Sequence, residues 1–125
     1  PEEVAERWEV LKKAEKGRAS VTDGIPAALP ALALAAKLQR KAESLRVATP
    51  DAAGRRAEVA AGLDRLAAQP AQGSGEVLDA SAPEVEAVGE MLFALADLAR
   101  RAGVDPETAL RAYARRFRGH LEASE

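Results

Sequence analysis

The sequence contains no cysteine and a single histidine, His120. The first absence rules out disulfides, thiolate nucleophiles and cysteine-based metal sites; the second leaves no histidine metal site and no Ser-His-acid triad. Aromatic rings are also scarce, with Trp8, Phe93, Tyr113 and Phe117 making up the whole set. Alanine is abundant by contrast, which favours helices packed closely through small side chains over a β-sheet core. No charge of one sign dominates: 18 Lys and Arg stand against 20 Asp and Glu, a formal net charge of −2. No global field therefore draws the protein to a nucleic acid polymer or an anionic lipid surface, and neither partner is expected. The longest apolar run, residues 25–36, is broken by Pro26 and Pro30 and falls short of the ~20 residues a membrane span needs. No basic segment followed by an apolar one opens the chain, so a cytoplasmic setting is expected. The chemistry left open is that of carboxylates, or none.

What the chain does have is helical periodicity. At 125 residues it is expected to be one domain over its whole length, and Pro1 is expected to be a cut within something longer. Residues 1–17 carry Val4, Trp8 and Leu11 on one helical face after a Pro-Glu-Glu opening. Thr22-Asp23-Gly24 then signals a turn. A second helix is expected from Ala27 or Ala28, with Pro30 in its first turn, Leu29, Leu32, Leu38 and Leu45 inward, and an end near Val47. Thr49 as N-cap, Pro50 and Asp51 predict a third helix reaching about Ala68, with Val59, Leu63 and Leu66 inward. A loop over residues 69–80 follows, and Ser81 to Glu84 reads as a capping box. The fourth helix, residues 85–101, sets Val85, Val88, Met91, Leu92, Leu95, Leu98 and Ala99 against a stripe of Glu86, Glu90 and Asp97, and Gly103 ends it. Asp105-Pro106-Glu107 starts a fifth, with Leu110, Tyr113, Ala114, Phe117 and Leu121 inward.

Several blocks recur in a known order. They are Trp8-Glu9 with Lys12, Glu15 and Lys16; residues 20–26 with Leu29-Pro30-Ala31-Leu32; residues 37–42; residues 50–54; residues 89–95 with Leu98-Ala99-Arg100; and Asp105-Pro106-Glu107 with Ala109-Leu110-Arg111. In this order and spacing they resemble the MazG family of all-α nucleoside triphosphate pyrophosphohydrolases, most closely the C-terminal domain of its two-domain members. The resemblance implies a dimeric four-helix-bundle type domain with an extra short helix. It also implies a cage of five carboxylates for Mg²⁺, which clamps a nucleoside triphosphate while water attacks to release the monophosphate and pyrophosphate.

The five family positions fall on Ala61, Gly62, Arg65, Ala87 and Glu90, so one carboxylate of five remains. The family's C-terminal Asn, any residue, Lys, Phe motif falls on Ala114, Arg115, Arg116 and Phe117. A catalytically degenerate domain with a dimerisation, scaffold or regulatory role is the expectation. The alternative is a working house-cleaning hydrolase with a displaced Mg²⁺ site, for which Glu58, Glu86 and Asp97 are the acids that can join Glu90. Candidate substrate contacts are Lys12, Lys37, Lys41 and Arg116, although ordinary exposed helix faces explain the same residues. Trp8 and the Ala/Leu face of the second helix are the expected homodimer interface; stacking of Trp8 on a nucleobase is the other reading.

Overall fold

The computed structural model describes residues 20–70 and 77–125, and its regular elements are all α-helices. In chain order they are α1 (Ala31–Ser44), α2 (Ala52–Ala68), α3 (Pro83–Arg101) and α4 (Pro106–Ala123). No strand occurs among the described residues, in keeping with an all-α bundle of the MazG type. The helical segment expected over residues 1–17, with Trp8 and Lys12, lies outside the described residues. None of the described helices is long and apolar enough to cross a membrane.

A turn precedes α1. Asp23 accepts the Ser20 backbone N–H and Ile25 N–H reaches Thr22 O, as Thr22-Asp23-Gly24 predicts. The helix then begins at Ala31 rather than Ala27, with Pro30 as its N-cap in extended geometry. The cause is local: the residue before a proline is disfavoured in the α region, so Leu29 cannot be helical ahead of Pro30. Pro30 O accepts the first helical bond, from Leu34. At the other end α1 stops at Ser44, earlier than expected, because Arg46 turns left-handed at φ 56 and Val47 N–H closes back on Ala42 O.

A left-handed arginine is a strained choice at a position suited to glycine. Relief of ~1–2 kcal/mol of strain outweighs the ~0.5–1 kcal/mol of extra chain entropy that glycine loses on folding. Arg46→Gly is therefore expected to raise the urea unfolding midpoint by the equivalent of about 0.5–1 kcal/mol. A lower midpoint would mean that contacts of the Arg46 side chain outweigh its backbone strain.

The start of α2 is also displaced. Asp51, not Thr49, is the N-cap, accepting from Gly54 N–H at 2.8 Å, which leaves Pro50 outside the helix. Ahead of α3 the expected capping box does not form: Ala82 is the N-cap without a side-chain bond, and Ser81 turns its N–H and hydroxyl to Asp79 instead. The end of α3 follows the sequence, with Gly103 at φ 80 and Val104 N–H bonded to Ala99 O. Asp105 caps α4 through Thr108 N–H, with Pro106 in the first turn.

The core is made of small side chains. Ala35 and Ala36 of α1 and Met91, Ala94 and Ala96 of α3 are its buried apolar residues. α3 packs most extensively on α2 and also meets α1 and α4, while α1 touches α4. Leu92 and Leu95, expected in the core, are about half exposed, as are Leu63 and Leu66 of α2. The buried positions of α3 lie to either side of Leu92 and Leu95, Met91 and Ala94 on one and Ala96 on the other, where small side chains allow closer helix approach. On α4 only Pro106 is buried; Leu110, Tyr113, Phe117 and Leu121, expected inward, remain more than half exposed.

Candidate functional site

α2 and α3 run antiparallel, pairing Gly62 with Met91 near the middle and Arg55 with Asp97 at one end. At the other end they wall a cavity of about 300 Å³. Ala61, Gly62, Arg65, Ala87 and Glu90 all line it, so the structure brings the five anchored positions together. Glu58 and Glu86 line it as well. Asp97 does not: it sits on the same stripe of α3, but about two turns further on.

The floor of this cavity is closed by packing. Gly62 is buried, and a Cβ built on it would lie 2.6 Å from Met91 Cβ and 2.9 Å from Met91 Sδ. No side chain, and least of all a carboxylate, fits there unless the two helices separate. Ala61 and Ala87 offer no donor atoms, and Arg65 brings positive charge. Glu58 is held by Arg55, Nη1 to Oε1 3.2 Å, and Glu86 and Glu90 are exposed. Among the described residues no group of three or more His, Cys, Asp or Glu side chains lies where it can hold a metal ion. Mg²⁺ asks for near-octahedral oxygen ligands, and the residues present do not fit it.

The polar centre of the domain lies elsewhere, on Asp97, which is 1% exposed. Its Oδ2 accepts from Arg55 Nε at 2.9 Å and Arg101 Nε at 3.1 Å, and its Oδ1 from Arg100 Nη2 at 2.8 Å. Burial alone pushes the Asp97 carboxyl up, but the hydrogen bonds from Arg100, Arg55 and Arg101 outweigh it and hold the group below its ordinary value. Arg100 reaches on to Glu43 of α1 at 3.1 Å, and Arg101 Nη2 to Pro50 O at 2.8 Å. Arg55 lies over the Phe93 ring, 5.3 Å from its centroid. Asp97, proposed from sequence as a metal acid, is instead saturated by guanidinium groups. The i+3 and i+4 arginines on its own helix were visible in the sequence; Arg55, 42 residues away, was not.

The candidate substrate residues do not converge on either place. Lys37 and Lys41 border a separate open cavity with Ile25 and Arg40. Arg116 is exposed and stacks over Tyr113, 5.2 Å from the ring centroid. Lys12 lies outside the described residues.

The architecture is thus an all-α, MazG-like bundle whose central helix pair gathers the positions that the resemblance singles out. Sequence relatives point the same way. The chain is 37% identical to an uncharacterized 26.1 kDa protein of the blaB 3' region in Streptomyces cacaoi, over 98% of this chain and 39% of that protein. It is 33% identical to the nucleoside triphosphate pyrophosphohydrolase of Escherichia coli K12, over 93% of this chain and 45% of that enzyme, and equally to that of strain O157:H7. The chain therefore spans less than half the length of these relatives and is distantly homologous to a nucleoside triphosphate pyrophosphohydrolase. No protein-family model matches it, and no solved structure matches it significantly.

Proposed function

We propose that this is a MazG-like domain that keeps the pyrophosphohydrolase fold but not Mg²⁺-dependent conversion of nucleoside triphosphates to monophosphate and pyrophosphate. Its role in this reading is that of a homodimerising scaffold or regulatory domain in the cytoplasm. The observation that carries the reading is Gly62 packed beneath Met91, which fills the place of a metal-binding acid with a helix contact. Glu58 engaged by Arg55 supports it further. The half-exposed Leu92 and Leu95 on α3, with Phe117 and Leu121 on α4, support self-association, because apolar faces of this kind are buried in stable bundles.

The test is pyrophosphate release from a panel of nucleoside triphosphates with Mg²⁺ or Mn²⁺, on protein whose oligomeric state is followed by sedimentation. The expected result is folded, self-associated protein with no release above background. Metal-dependent release that disappears in Glu90→Ala would overturn the reading in favour of a site rebuilt around Glu58, Glu86 and Glu90.

A further inference from the structure

α4 is almost wholly uncovered. Of its 18 residues only Pro106 is buried, and every residue from Thr108 onward is exposed. Leu110, Tyr113, Phe117 and Leu121 nevertheless form one apolar stripe along it, each more than half exposed. Helices in proteins owe most of their stability to packing of such a face, so the stripe calls for a cover. The charges around it are uneven. Arg115, Arg116 and Arg118 crowd the C-terminal half, while Arg111 nearer the start is already bonded to Glu107 at 2.8 Å. The cover that fits is therefore an amphipathic helix, acidic at the end that meets residues 115–118.

The chain carries such a segment in residues 1–17, which lie outside the described residues. Val4, Trp8 and Leu11 recur at helical spacing, residues 2–9 hold four glutamates and one arginine, and Lys12, Lys13 and Lys16 follow. As a helix the segment would be about 25 Å long, against about 27 Å for α4. Its connection leads to the right place. Ile25 borders an open cavity with Arg40 of α1, and Arg40 acts in turn on Asp105, the N-cap of α4. Bonds from Thr108 lower the Asp105 carboxyl most, and the charge of Arg40 adds to them.

We infer that residues 1–17 dock as a helix along α4 of the same chain, antiparallel to it, with Val4 against Leu121, Trp8 against Phe117 and Leu11 against Tyr113. Entry beside Asp105 sets the direction. The same direction brings the glutamates of residues 2–9 to Arg115, Arg116 and Arg118, and it sets the three lysines beside Arg111, whose charge Glu107 balances. The parallel arrangement would set those glutamates beside Glu107 and the lysines beside the arginines, so charge fixes the register that the apolar stripe alone leaves open. With α4 covered from within the chain, Leu92 and Leu95 of α3 are the surface left for self-association, and the docking holds whether or not the domain hydrolyses nucleotides.

Trp8 is the only tryptophan, so its fluorescence in the full chain reports the docking directly. Wild type should emit well to the blue of the urea-unfolded chain. Phe117→Asp and Leu121→Asp should shift the emission to that of the unfolded chain, with far-UV circular dichroism confirming that the other helices persist. Arg115→Glu with Arg118→Glu, confined to the surface, should shift it in the same direction, and added salt should weaken the charged part of the contact in wild type. Sedimentation of the same samples reads self-association separately. Wild-type emission matching the unfolded chain would overturn the inference, as would emission unchanged in all three variants. Emission that turns red on dilution, in step with dissociation of a dimer, would overturn it in favour of a segment supplied by a second copy.

Discussion

Gly62→Ala is expected to destabilise the domain by about 3 kcal/mol, the upper end of overpacking costs. In an exposed helix the same change would stabilise by about 0.8–1 kcal/mol, since alanine is the better helix former. The sign of the effect therefore reports the helix contact directly. The new Cβ would meet Met91 Cβ at 2.6 Å, an atom fixed by the backbone of α3 rather than the movable end of a side chain. Shortening the neighbour should accordingly help little: Gly62→Ala with Met91→Ala keeps the Cβ clash and adds the loss of a buried thioether, so the double variant is expected to be no more stable than the single. Urea unfolding midpoints of the two variants beside wild type decide the matter. A Gly62→Ala protein as stable as wild type would mean that α2 and α3 can part freely and that position 62 has room for a side chain. The same clash predicts that carboxylates introduced at Ala61 and Arg65, both exposed, are tolerated, whereas one introduced at Gly62 is not.

This asymmetry between neighbouring positions explains what the sequence could and could not convey. Helix number and order among residues 20–125 followed from period and punctuation. The clearest boundaries were those with two local signals, such as Asp105 followed by Pro106, or Gly103 after a charged last turn. Where two residues competed for one cap, the choice depended on geometry: Asp51 over Thr49, and Ser81 drawn to Asp79 instead of to α3. Period also identified the stripes of α3 but not which stripe packs. Leu92 and Leu95 offered the larger apolar surface, but the buried positions of α3 are Met91 and Ala94 to one side of them and Ala96 to the other, where small side chains allow closer approach.

The candidate site was legible as a set of positions and not as an electrostatic arrangement. Ala61, Gly62, Arg65, Ala87 and Glu90 do meet around one cavity, as anchoring each helix on its local motif required. Asp97 shares a helical stripe with Glu86 and Glu90, and for that reason seemed to share their surroundings. In an antiparallel pair, however, the end of α3 faces the start of α2, so Asp97 meets Arg55 while Glu90 lies beside Gly62 and Arg65. A long-range pairing of this kind leaves no trace in spacing. A buried carboxylate near an arginine-rich helix end is the one signal that could have flagged it, and burial is not read from period alone.

Asp97→Ala is expected to be the most damaging single change in the domain, at about 3–5 kcal/mol, because it strands buried guanidinium groups instead of removing a balanced pair. Arg55 comes from α2; Arg100 and Arg101 come from α3 itself, and among the described residues Glu58 and Glu43 are the other acids bonded to these arginines. Neither of those acids can reach the position Asp97 leaves without giving up its own contact. Asp97→Asn keeps the volume and one acceptor oxygen, so it should fold and lose less. It also isolates the charge. The Asp97 carboxyl is held below its ordinary value of 3.8 by Arg100, Arg55 and Arg101 against the opposing push of burial. In the folded state it therefore stays ionised after the unfolded chain has begun to take up its proton. Its stabilisation is present above the ordinary carboxylate range and is lost as pH falls through the lower, folded value. Urea midpoints of wild type and Asp97→Asn measured from pH 7 to pH 3 should therefore converge as pH falls, with wild type losing up to about 1.36 kcal/mol more per pH unit. Asp79 and Asp105 are also lowered, by bonds to Ser81 and Thr108, but both contributions are common to the two proteins and cancel in the comparison. A gap between the proteins that stayed constant with pH would show that the shape of Asp97, and not its charge, joins α2 to α3.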